Sequence, residues 1–153
     1  MEKDTGLLKL QSLCVKREYC LKDIYAKALR LAQDASDPQT EAQRLVDALV
    51  RDGFVSNARY SAAFAREKSS LTGWGPHKIS AALKAKGIDV QTIKDALECI
   101  DCSAADAKMS KVIQSKWRTL RDDPQGRLKL IRFALGRGYD YEAVASVIRE
   151  LEQ

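Results

Sequence analysis

Four apolar residues, Ala42, Leu45, Val46 and Leu49, fall at i, i+3, i+4 and i+7, the spacing that lines one face of an α-helix. The pattern returns 51 residues later at Ile93, Ala96, Leu97 and Ile100, and after 51 more at Val144, Val147, Ile148 and Leu151. A period kept over three copies predicts a repeat architecture, each copy being one supersecondary unit. Ahead of the second and third copies, residues 76–89 parallel residues 127–140. Each reads as a helix stopped by glycine, Gly87 or Gly138, with Lys86 or Arg137 in the last turn to complement the helix dipole. Asp89 and Asp140 then stand where N-caps of the following helices belong. The first copy is looser: residues 21–32 form the helix, and Asp37 and Pro38 read as N-cap and first helical residue of the next.

An earlier helix precedes each pair. The pattern places these over about Thr5 to Arg17, over Asn57 to Leu71 with Ser56 or Asn57 as cap, and over Ala104 to Arg121 after Ser103. Breaks fall at Gly53, at Gly73-Trp74-Gly75-Pro76 and at Asp122-Asp123-Pro124. The prediction is an all-α chain of nine helices in three tandem three-helix repeats, residues 1–55, 56–102 and 103–153. A unit of this size has little interior of its own, so neighbours are expected to stack and bury helix faces between them. The array should be elongated and curved, and should bury less than the roughly two-thirds of its surface usual for a compact domain of this length.

Composition narrows the class. With 45% apolar residues, 8 Gly and 3 Pro in 153, the chain has material for a core and too few turn formers for a many-stranded β fold. The longest apolar run is Ala62 to Ala65, far short of a membrane span. Met1 to Gly6 carries mixed charge without an apolar core, so a cytoplasmic, unprocessed start and a reducing environment for the cysteines are expected. Cys99-Ile100-Asp101-Cys102 has the spacing of half a zinc site, but Cys14 and Cys20 do not supply the other half and His77 is the only histidine. Neither a metal, nor another cofactor, nor a catalytic centre is expected.

Charge changes the picture once it is resolved along the chain. The formal net charge is +5, yet residues 108–137 hold nine basic groups against Asp122 and Asp123, so that stretch is +7 and the rest −2. At 100° per residue Lys108, Lys111 and Arg118 fall on one stripe, opposite Met109, Ile113, Trp117 and Leu120. In the next helix Lys129 and Arg132 point away from Leu128, Ile131 and Leu135. Phe133 flanks them, as a core residue or an exposed anchor, core being favoured. Few acidic partners at i, i+4 balance these cations. Two partners suit such a surface: nucleic-acid phosphates, single- or double-stranded, and a protein with acidic surface. No zinc finger or aromatic RNA-binding pattern accompanies it, which disfavours sequence-specific reading.

Gly75-Pro76-His77-Lys78-Ile79, continuing to Leu83 and Lys86-Gly87-Ile88, resembles the bacterial RecX regulatory family. So do Arg132-Phe133, Arg137-Gly138-Tyr139 with Tyr141 and Val144, and the earlier Arg17-Glu18-Tyr19 leading to Ile24. The resemblance runs over roughly residues 7–151. It implies three tandem three-helix repeats and a non-enzymatic, monomeric regulator. Such a protein binds the RecA recombinase filament, inhibits its ATP hydrolysis, strand exchange and co-protease action, and promotes its disassembly on single-stranded DNA. The charge pattern, not the resemblance, supplies the contact surface expected for such a partner: Lys108, Lys111, Arg118, Lys129, Arg132 and Arg137 of the third repeat, with Lys84 and Lys86 as secondary candidates. The alternative is a sequence-independent DNA-binding repeat module acting without recombinase contact. One departure stands at the start of the second repeat. Ser56-Asn57 precedes Ala58-Arg59-Tyr60, where relatives often carry two Asp residues before Arg-aromatic-Ala.

Overall fold

The computed structural model describes residues 4–153. Every regular element among them is helical: α1 (Thr5–Lys16), α2 (Leu21–Leu31), α3 (Pro38–Arg51), α4 (Asn57–Glu67), α5 (Pro76–Ala85), α6 (Val90–Glu98), α7 (Cys102–Leu120), α8 (Gly126–Gly136) and α9 (Tyr141–Leu151). Helix starts follow local side-chain chemistry. Asp4, Asp37, Ser56, Asp89 and Asp101 accept hydrogen bonds from the backbone N–H groups of Leu7, Thr40, Arg59, Thr92 and Ala104, at 2.7–3.3 Å. Each such cap contributes about 1 kcal/mol.

Three local expectations change. The cap of α7 is Asp101, not Ser103, and the helix begins two residues before Ala104, at Cys102. Asp140 occupies the N-cap position of α9 without capping it, because its carboxylate turns to His77 Nε2 in the second repeat. The α4 helix does not run unbroken to Leu71: it gives way to a single π-helical turn, Lys68–Thr72, closed by Gly73 in the left-handed conformation. Within this segment the Ser70 hydroxyl donates to the Arg66 carbonyl (2.7 Å), the kind of side-chain competition that loosens regular helix.

The repeating apolar positions all turn inward. Leu45, Val46 and Leu49 pack with Leu10 and Ile24 in the first repeat, and Ile93 and Ala96 with Ile79 and Leu83 in the second. In the third, Val144, Val147 and Ile148 pack with Ile113 and Leu130. The expectation that helix faces are buried mainly between repeats is corrected: each repeat closes its own core, and only Cys20 crosses from one into the next. A three-helix unit suffices here because each helix contributes a full apolar face. Separate cores leave more surface. The chain exposes 9753 Å², against roughly 7,800 Å² for a compact protein of this mass, as an elongated array should.

The joints between repeats are made by helix ends. The first N–H groups of a helix and its last C=O groups lack intrahelical partners, and their partial charges are opposite. At the joint of the second and third repeats, these orphans satisfy each other. Gly75 N–H donates to the Arg137 carbonyl (2.8 Å) and His77 N–H to the Gly138 carbonyl (2.9 Å), with Pro76 between them needing no acceptor. The N-terminus of α5 therefore faces the C-terminus of α8. Arg137 donates to the Thr72 and Gly73 carbonyls, and the buried Tyr139 hydroxyl donates to Gly73.

This approach leaves no room for side chains. A Cβ on Gly75 would stand 2.3 Å from the Gly138 carbonyl carbon, and one on Gly138, which has φ +92°, would stand 2.4 Å from Lys78 backbone nitrogen. The joint of the first and second repeats repeats the arrangement with side chains as intermediaries. Leu21 N–H, at the start of α2, donates to Asn57 Oδ1 (2.8 Å), and Lys22 Nζ donates to the Ala85 carbonyl at the end of α5 (3.1 Å). Lys86 donates to both oxygens of Asp23 (3.1 and 2.9 Å), and Arg59 pairs with Glu18. Burial works to raise the Asp23 pKa, but hydrogen bonds from Lys86 and Cys20 and the charges of Lys86 and Arg17 outweigh it and hold the carboxyl below its ordinary value. Hydrogen bonding to Asp23 raises Lys86 in turn.

Two predictions follow from the contrast between these joints. Gly75→Ala should cost about 1–3 kcal/mol by forcing the backbones apart, whereas Gly136→Ala, with nothing near its added Cβ and in helical backbone, should be neutral or stabilise by up to about 1 kcal/mol. Chemical denaturation of both variants checks this. Because Asp23 is depressed in the folded chain, its contribution is present above its ordinary value of 3.8 and disappears as pH falls through the lower folded value. Acid titration followed by amide exchange should release the first repeat's joint across that window in the native protein, and the Asp23→Asn variant should lack that transition.

Candidate functional site

The third repeat presents the cations that the charge count singles out, but the fold sorts them into groups. Helix α7 is amphipathic along its length: Met109 and Ile113 are buried, while Lys111 and Arg118 stand exposed on the opposite side. Arg132 is exposed on α8, and Lys84 is exposed late in α5. None of these four forms an ion pair among the described residues. Lys108 is half-buried, its aliphatic stem lying over the Gly73 turn.

The remaining candidates are engaged within the chain. Lys129 Nζ pairs with Asp123 (2.6 Å), and this hydrogen bond lowers the Asp123 pKa. Lys86 holds Asp23, and Arg137 holds the Thr72 and Gly73 carbonyls, so both act as joint residues. Their placement at the ends of α5 and α8 was legible in the sequence; the acceptors lie 63 to 65 positions away and were not.

Phe133 lies outside the third core, half-buried between Lys116 Nζ, 5.1 Å from its ring centroid, and the Arg137 guanidinium, 5.9 Å away. The expectation that favoured a core role is therefore corrected. Trp74 in the second repeat is flanked in the same way by Lys68 (4.8 Å) and Lys78 (4.6 Å), and Tyr19 in the first by Arg17 (4.4 Å) and Lys27 (5.6 Å). Cations stacked on aromatic faces keep their charge while their stems are held in place.

Charge is unevenly divided within the first repeat. Residues 1–55 hold nine basic and nine acidic groups, yet residues 5–31 carry six basic and two acidic and residues 32–55 two and five. Both acids of the α1–α2 side, Glu18 and Asp23, are engaged by Arg59 and Lys86 of the second repeat. The outer side of α1 and α2 is thus as uncompensated as that of α7. Counting charge by helix rather than by repeat would have found it.

Among the described residues no group of three or more His, Cys, Asp or Glu side chains could hold a metal ion, and no helix is long and apolar enough to cross a membrane. Cys14 and Cys20 are buried, Cys99 and Cys102 exposed, and all four are free thiols. Burial raises the pKa of both buried thiols, keeping them protonated.

Comparison with known proteins bears on identity. A family model described as RecX, second three-helix domain, matches residues 56–97, and one described as RecX, third three-helix domain, matches residues 106–148. The chain is 33% identical over 139 residues to a Regulatory protein RecX of Chromohalobacter salexigens, covering 86% of this chain and 83% of the relative. It is 29% identical over 137 residues to that of Herminiimonas arsenicoxydans, covering 90% and 86%. The crystal structure of RecX from Lactobacillus salivarius shares the fold at 19% identity, with a TM-score of 0.81 over 97% of this chain and 95% of that one. Two of the repeats match the family's own three-helix domains, and a relative one-third identical spans most of both sequences, so the chain belongs to the RecX family of regulatory proteins.

Proposed function

We propose that this chain binds the RecA recombinase filament as a monomer and inhibits its ATP hydrolysis, strand exchange and co-protease action, modulating DNA recombination, repair and the SOS response in the cytoplasm. The reading comes from the family, and the observation that carries it is the cationic outer side of α7 and α8. There Lys111, Arg118 and Arg132 are exposed and unpaired among the described residues, with Lys108 beside them. Long-range attraction to an acidic or DNA-containing groove favours such a surface. An elongated array of separately closed units suits a partner longer than any single repeat. No catalytic group enters the mechanism; binding itself interferes with the filament.

A second reading has its own support. Phe133, outside the third core and beside Lys116 and Arg137, sets an aromatic ring among cations, the combination by which single-stranded nucleic acid is held without regard to sequence. On that reading the chain is a DNA-binding module that acts on recombination indirectly.

Charge reversal at Lys111, Arg118 and Arg132 together tests the proposal, since all three side chains are exposed and helix content should be kept. The expected outcome is a loss of at least about tenfold in potency against DNA-dependent ATP hydrolysis by the recombinase. Unchanged inhibition would remove this surface from the mechanism. Sedimentation with naked DNA and with preformed filament at two salt concentrations separates the readings. Filament binding that survives where DNA binding has collapsed supports direct recombinase contact, and DNA binding with a steep salt slope and no added affinity for filament supports the second.

A further inference from the structure

The first repeat carries a second surface with a different character. Between α1 and α2 runs a trough of about 420 Å³ lined by Leu10, Leu13 and Leu31 below and Lys9, Lys27 and Arg30 along its sides. It continues past Lys27 and Arg30 into a second depression of about 300 Å³ that reaches Arg17 and Tyr19. Leu10 is sealed in the core beneath, while Leu31 is 43% exposed and Leu13 half-buried, so the accessible floor is aliphatic. Lys9, Arg17, Lys27 and Arg30 form no ion pair among the described residues, and Asp23, the one carboxylate in the depression, is held by Lys86.

We propose that this trough is a docking site for an acidic amphipathic helix of a protein partner, independent of the cationic side of the third repeat. The floor decides against nucleic acid. It is aliphatic, and the one ring in the adjoining depression, Tyr19, is buried beneath Arg17 and Lys27, so no face is open for a base to stack on, and a phosphodiester backbone gains nothing by covering leucine. A helix laid between two helices buries its apolar side chains at i, i+3, i+4 and i+7 against Leu13 and Leu31, the accessible leucines of the floor. Its flanking carboxylates then meet the four cations at the rim. A second copy of this chain is a poor occupant: the exposed sides of the two helices with excess acid, α6 with Asp95 and Glu98 and α9 with Glu142 and Glu150, offer Val90 or Tyr141 singly but no apolar row. The occupant is therefore a segment rich in Glu or Asp with a leucine-like stripe.

Fluorescence anisotropy with a labelled synthetic helix of about 16 residues, long enough to hold helical structure, tests the proposal. The probe has leucines at i, i+3, i+4 and i+7, glutamates flanking that stripe, and alanine and glutamine elsewhere to keep it helical. Two companions replace the leucines by serine or the glutamates by lysine. Saturable binding of the first probe alone is expected. It should weaken at least about tenfold in a Lys27→Glu, Arg30→Glu variant and in a Leu31→Asp variant, both of unchanged circular dichroism. Charge reversal at Lys111, Arg118 and Arg132 should leave it unaltered, which separates failure here from failure of the proposed recombinase surface. Equal binding of the serine peptide, displacement of the probe by a single-stranded oligonucleotide at equimolar concentration, or no saturable binding would each overturn the assignment.

Discussion

The architecture depends on the pairing of unsatisfied helix ends across repeats. Each repeat closes its own core and only Cys20 reaches into a neighbour's, so the hydrophobic effect fixes the units and does little to set how they sit together. Relative position comes from the start of α5, whose free N–H groups meet free carbonyls at the end of α8, and from the start of α2, which meets the end of α5 through Lys22 and the start of α4 through Asn57. Buried backbone groups without partners are costly. The same contact that satisfies them therefore aligns α2, α5 and α8 end to end.

The two joints use this device with different materials, and that difference organises the molecule. Backbone bonds enclosed by Gly75, Gly138 and the Tyr139 hydroxyl join the second and third repeats at close range. The first joint relies on the Asp23–Lys86 and Glu18–Arg59 pairs, partly exposed, which contribute little individually and respond to salt and acid. Repeats two and three thus form the firmer pair, carrying the α7 and α8 cations. The first repeat, with its own basic trough, is attached more adjustably.

Much of the fold was legible in the sequence. A 51-residue period in apolar positions, caps at Asp37 and Asp89, and stops at Gly87 and Gly138 are local signals, and local signals survive translation into structure. What resisted reading was non-local. Nothing near Gly75 announces that a carbonyl 62 positions away will come against its N–H, and nothing near Asp140 announces that His77 will draw its carboxylate from a capping role. The candidate surface followed the same division. The α7 stripe was visible from helical periodicity, whereas the engagement of Lys86, Lys129 and Arg137 required their acceptors to be in place. The first repeat's basic side was hidden because Glu41 and Asp47 of α3, with the acids that flank that helix, cancelled it in the count.

Hydrogen exchange at the Gly75 and His77 amides tests the central claim most directly. Both donate only across the joint, so their protection reports that contact and nothing within α5. The account predicts protection comparable to that of amides in the core of the third repeat, lost together with them as denaturant is raised. Exchange of these two amides at the rate of an unprotected chain, while the α8 core amides stay protected, would contradict it.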